Sequence, residues 1–138
     1  MTESQVLEVL NKFAELHRCT IEGPEDNIVE LTFNFETDRR CLVKYEITPG
    51  QSAYLTFKYL VGQLLDKNAC LNLFFIGRWE TTSYYFRGKE IKGTQYLFAE
   101  TRVYLHEDLS VEQATHTVVQ HARLPMFELD WPKGVDIF

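Results

Sequence analysis

The chain has 138 residues, 45% of them hydrophobic and 14% aromatic, and carries a formal net charge of −6. That length is one domain with room for a core that needs no disulfide or metal, and that apolar content excludes disorder of the whole chain. The acidic balance speaks against phosphate-backbone attraction, so nucleic acid is not the expected partner.

Residues 1–18 alternate apolar and charged types and do not read as a secretory signal. No stretch approaches the roughly 18 apolar residues of a membrane span, so no membrane partner is expected. Cys19, Cys41 and Cys70 are widely spaced and form no Cys-x-x-Cys pattern. They read as partly buried thiols of a reducing cytosol, which makes a cytoplasmic protein the expectation. His17, His106, His116 and His121 do not fall at ligand spacing with them, so no metal site is expected.

In chain order, Val6, Val9, Leu10, Phe13 and Leu16 recur at the helical period. Thr2 and Gln5 are spaced as a capping box, and the helix is expected to end near Arg18. Residues 23–27 (GPEDN) are a cluster of turn formers. Val29, Leu31, Phe33 and Phe35 alternate with polar residues, as do Val43, Tyr45 and Ile47, so 29–47 reads as an antiparallel hairpin with a polar turn at 36–39. Tyr54, Phe57, Leu60, Val61, Leu64 and Leu65 fit an amphipathic helix capped by Ser52. Strands are expected again over 71–79, where both faces are apolar, and over 82–86. Residues 87–93 (RGKEIKG) read as a basic hairpin tip between strands. Residues 96–105 form a long strand, with Leu97, Ala99, Val103 and Leu105 on one face and Tyr96, Phe98, Glu100, Arg102 and Tyr104 on the other. Ser110 and Gln113 cap a last helix whose stripe of Val111, Ala114, Val118 and Ala122 is narrow. Residues 124–138 contain Pro125 and Pro132 and read as an irregular apolar tail that docks on its own domain or on a partner.

The expected fold is therefore a single α+β domain over 1–138. Its antiparallel sheet has helices at start, middle and end, in the order α-β-β-α-β-β-β-α.

Chemistry-bearing motifs are scarce. There is no Gly-x-Ser-x-Gly, no P-loop and no dinucleotide-binding glycine pattern, so no catalytic residue and no cofactor is expected. Cys70 with His106 or His116 is the one conceivable nucleophile–base pair. His106-Glu107-Asp108 reads as a polar turn before a helix. What stands out is an aromatic and apolar surplus. Phe74, Ile76, Tyr85, Tyr96, Phe98 and Tyr104 fall on the sheet face away from the first and last helices, and Phe127 and Trp131 lie in the tail. Either the middle helix covers these strand residues, or together with the tail they form a surface for a partner chain.

The order of elements resembles the type III secretion chaperone-like fold. The resemblance is carried by the helix at 6–16, the hairpin at 29–47, the middle helix at 54–65, the strands from 71 to 105 and the closing helix at 110–122. It implies a bacterial, homodimeric protein that binds an extended peptide through apolar grooves. The primary expectation is thus a non-enzymatic, chaperone-like protein-binding module. Its partner would be another protein or itself, bound by strand-face aromatics, with acidic charge attracting basic segments. A small acidic inhibitor or immunity-type protein is the second reading. An enzyme or small-ligand binder with a pocket between sheet and tail is the third.

Overall fold

Residues 1–34, 38–65, 85–122 and 135–137 are described by the structure, a computed structural model. Helix α1 (Glu3–Leu16) starts where the sequence places it. Thr2 Oγ1 accepts the Gln5 amide at 3.2 Å, and Gln5 Oε1 accepts the Thr2 amide at 2.9 Å. Two otherwise orphaned donors are thereby satisfied. Val6, Val9, Leu10, Phe13 and Ala14 form the buried stripe.

Among the described residues, α1 is followed by β1 (Cys19–Glu25), β2 (Ile28–Asn34), β3 (Asp38–Ile47), β4 (Ala53–Leu64), β5 (Tyr85–Ile91), β6 (Thr94–Leu105), helix α2 (Val111–His121) and β7 (Val135–Ile137). The fold class is α+β. Six strands form an antiparallel sheet in the order β1-β2-β3-β4-β6-β5, and β7 pairs with β4. Helices α1 and α2 pack against one another, α1 also meeting β1 and α2 meeting β6. They cover one face of the sheet.

The covered face holds the core. Along β4, Ala53, Leu55, Phe57 and Tyr59 are buried, and along β6 Leu97, Ala99, Val103 and Leu105 are, which is the alternation read for β6. Phe13 of α1 meets Phe57 edge-on at 5.5 Å between ring centroids and Phe33 at 6.5 Å, the spacing aromatic pairs favour. Two phenols fasten the helices to the sheet. Tyr59 donates to the Ala122 carbonyl at the end of α2 at 2.9 Å, and Tyr45 donates to the Glu3 carboxylate in the first turn of α1 at 2.7 Å. Helix α2 shows the narrow stripe expected of it, with Ala114, Thr115 and Val118 buried and its Ser110–Gln113 capping box formed.

Several expectations are corrected. The middle helix at 54–65 is strand β4, paired with β3 on one side and β6 on the other. The physical reason is a β-bulge: Leu60 pairs with Phe98 and Gly62 with Leu97, leaving Val61 as the extra residue. Odd residues point inward before the bulge, and Gly62 and Leu64 do so after it. That slip leaves Phe57, Val61 and Leu64 buried at a helix-like spacing. The element order α-β-β-α-β-β-β-α therefore does not hold at 54–65, where its middle helix was expected, and neither does the part of the chaperone-fold resemblance that rested on those residues.

The turn cluster at 23–27 shrinks to Asp26 and Asn27, with Glu25 paired to Ile28. Both turn residues have positive φ, as a two-residue type I′ hairpin requires. The preceding residues form β1, which the sequence hides. Only Cys19 and Ile21 face inward there, and Gly23 and Pro24 follow. Pro24 is tolerated because β1 is an outer strand. The basic segment 87–93 is mostly strand, with Ile91 pairing Thr94 and only Lys92 and Gly93 making the turn. In the tail, Val135–Ile137 is a strand on Gly62–Leu64 rather than irregular. The expected strand at 71–79 lies outside the described residues.

Candidate interaction surface

The same alternation that buries one face of the sheet sends the intervening side chains to the other. On that face, which no described helix covers and which is called the open face below, the register sets up cross-strand rows. Tyr54 pairs with Tyr104, Thr56 with Arg102, Lys58 with Glu100 and Leu60 with Phe98. Leu42 of β3 lies beside Lys58, and Lys44 beside Thr56. Tyr96 sits between Gln63 of β4 and Lys89 of β5.

The Tyr54 and Tyr104 rings are 5.0 Å apart, and the two residues are 44% and 47% exposed. Tyr104 donates to Ser52 Oγ at 3.0 Å, which holds its ring over the strand ends. Leu42 is 43% exposed, and Ile28, at the β2 end of the face, is exposed as well. The Lys58 ammonium lies 4.9 Å from the centre of the Phe98 ring, a cation–π contact that partly covers it. Three ion pairs cross this face: Arg40 to Glu30 at 3.6 Å, Lys44 to Glu46 at 3.5 Å and Arg87 to Glu100 at 3.8 Å.

Of the residues singled out in the sequence, Tyr96, Phe98 and Tyr104 lie together on this open face. The backbone of Tyr85 pairs with Glu100, at the same edge of the sheet. Phe74, Ile76, Phe127 and Trp131 lie outside the described residues. The structure adds Leu42, Tyr54, Leu60 and Lys58. Leu42 was visible as the off-face residue of the 43–47 alternation. Tyr54 and Leu60 were hidden by the helical reading of β4.

Other clusters offer less chemistry. Cys41 is fully buried, and burial holds its thiol well above the usual range. Cys19 is also pushed up by burial, to about 12. Neither is a thiolate at neutral pH, so neither is an activated nucleophile. Cys70 lies outside the described residues, so its pairing with a histidine has no geometry. His106, Glu107 and Asp108 place their ligand-capable atoms within 4.8 Å of one another on an exposed turn. His106 Nδ1 accepts the Asp108 amide at 3.2 Å and so serves the turn itself. A groove of ≈ 510 Å³ runs between α1 and α2, walled by Glu15, Leu16, Glu112 and His116 among others. Among the described residues, no helix is long and apolar enough to cross a membrane.

A scan of the chain against protein-family models finds no match, and a search of curated proteins finds none either.

Proposed function

We propose that this chain is a non-enzymatic, chaperone-like protein-binding module that docks another polypeptide on the open face of its sheet. The observation that carries the reading is the exposed Tyr54–Tyr104 pair, set in one face with Leu42, Leu60 and Phe98. Tyrosine presents a large ring with few rotors to freeze and a polar tip that tolerates water, which is why it recurs at binding hot spots. The face is also large enough. Six strands spaced ~4.8 Å apart, each about seven residues long at ~3.3 Å per residue, span roughly 650 Å² in projection, close to one side of a standard interface. Self-association through this face is the dimeric form of the same reading. The free thiols Cys19 and Cys41 support a reducing, cytoplasmic setting. What remains of the resemblance to secretion chaperones is two helices, one early and one late, on one side of an antiparallel sheet.

The test compares the wild-type chain with Tyr54→Ser/Tyr104→Ser as immobilised bait in extract of the native host, alongside light scattering of both. The double variant removes exposed rings only, so its melting temperature should stay within a few degrees. Loss of a specific captured protein, or of a wild-type dimer, is the expected result. Identical capture and identical mass for both proteins would overturn the assignment of this face.

A further inference from the structure

We propose that the groove between α1 and α2 receives a basic amphipathic helix of a partner protein, at a site separate from the open sheet face. The groove has a volume of ≈ 510 Å³; Lys12, Glu15 and Leu16 line it from α1, and Glu112, Thr115, His116 and Val119 from α2. Leu16 continues the helical period of the buried stripe of α1, yet it is 66% exposed. Val119 packs partly against the core, and Thr115 is buried with its hydroxyl donated to the Val111 carbonyl at 2.7 Å. The base of the groove is thus apolar, and the charges stand on its rims.

Those charges are unequal. Lys12 is already matched by Glu8 at 3.7 Å. The Glu15 and Glu112 carboxylates, one on each wall, have no ion pair or hydrogen bond among the described residues. Beyond the rims, Arg18 past the end of α1 is outweighed by the exposed Glu107 and Asp108 in the turn before α2. Arg123 lies outside the described residues, and counting its charge still leaves carboxylates in excess. The position of Glu15 sharpens the point. Cations are favoured in the last turn of a helix, where the backbone dipole ends negative, but α1 has none there. A lysine or arginine arriving at that end would meet the carboxylate and the helix terminus together.

The dimensions select a helix as the occupant. On α2 the lining runs from Glu112 to Val119, about 10 Å at ~1.5 Å per residue. Apolar side chains at i, i+4 and i+7 of a partner helix cover the same ~10 Å, so one ridge fills the groove. Lysines or arginines flanking that ridge on both sides reach Glu15 on one wall and Glu112 on the other. An extended peptide gains less, because helices have no unpaired backbone along their sides for a strand to bond. A second copy of the chain would bring Glu15 and Glu112 against its own carboxylates, at a net charge of −6 on each copy. Nucleic acid would set phosphates against the same two groups.

The probe is a fluorescein-labelled helical peptide with leucines at i, i+4, i+7 and i+11 and lysines on both flanks, titrated into the full chain and followed by anisotropy. Its controls are the same peptide with Glu in place of Lys, and one of the same composition with its leucines scattered around the helix. Saturable binding is expected for the first peptide alone. Exposed ion pairs each change affinity by roughly two- to fivefold, so Glu15→Lys/Glu112→Lys should weaken binding by about tenfold. The neutral Glu15→Gln/Glu112→Gln should weaken it less and reduce its sensitivity to salt. Leu16→Ser should weaken it without moving the melting temperature by more than a few degrees. Glu22→Lys/Glu90→Lys makes the same change in net charge on exposed strand positions and should leave binding unchanged. Equal binding of either control peptide, no saturable binding of the first, or equal weakening by Glu22→Lys/Glu90→Lys would overturn the proposal. So would a wild-type dimer, seen by light scattering, that Leu16→Ser dissociates, because the groove would then hold a second copy.

Discussion

Leu55→Ala, set beside Tyr54→Ala, separates the strand from a helix at 54–65. Leu55 is fully buried on the helix-covered face, whereas Tyr54 is 44% exposed on the other. Removing three carbons from Leu55 forfeits about 2.4 kcal/mol at ~0.8 kcal/mol each, and the unfilled space adds more, so about 3 kcal/mol is expected. Truncating Tyr54 loses its ring contact with Tyr104, a cross-strand interaction of at most about 1 kcal/mol. For a chain of this size, about 3 kcal/mol lowers the melting temperature by about 10 °C. It also moves the urea midpoint by about 1.5 M at a slope near 2 kcal/mol/M. The assay is urea and thermal denaturation of both variants followed by circular dichroism. Were 54–65 an amphipathic helix, Tyr54 would be buried and Leu55 would lie on its polar side. A larger loss from Tyr54→Ala than from Leu55→Ala would therefore refute the strand register and the open face built on it.

Four further outcomes follow. Gly23 has φ +104, and a Cβ there would lie 2.9 Å from the Ile28 carbonyl oxygen, so Gly23→Ala should cost about 2 kcal/mol; an unchanged urea midpoint would contradict the turn geometry. Burial and the hydrogen bond to Glu3 raise the Tyr45 phenol from 10.0 to about 12, so the folded state keeps this proton where the unfolded chain loses it. Its stabilising effect is complete below pH 10 and is lost as pH rises toward 12. Tyr45→Phe should therefore be about 1.5 kcal/mol less stable at neutral pH and show a shallower alkaline decline, which pH-dependent melting will check. In a Cys19→Ala/Cys70→Ala background, Cys41 should react with Ellman's reagent only as fast as the protein unfolds, and rapid native labelling would show its thiol to be accessible. Deleting 124–138 removes β7 from Gly62–Leu64 and should lower the melting temperature by several degrees; no change would mean that this pairing adds nothing to stability.

Both capping boxes, the stripes of α1 and α2 and the two-faced pattern of β6 were legible in the sequence because each obeys one local period. Strand β4 was not, because its bulge changes the inward parity within a single element and mimics the helical period. Strand β1 was missed because a short outer strand needs only Cys19 and Ile21 to face the core. The aromatic half of the open face was readable from Tyr96, Phe98 and Tyr104. Its cationic half was not. Arg40, Lys44, Lys58 and Arg102 come from three strands, and only the register gathers them.

The packing of α1 on α2 also imposes an order on biosynthesis. While β2, β3 and β4 leave the ribosome, only α1 is available to shield Leu31, Phe57 and Tyr59. Helix α2, with the Tyr59–Ala122 clasp, arrives much later. Among the described residues, no other helix covers that half of the apolar sheet until then. The growing polypeptide is at its stickiest shortly before α2 emerges, so slowing translation at that point should increase its demand for ribosome-associated chaperones more than slowing it anywhere earlier.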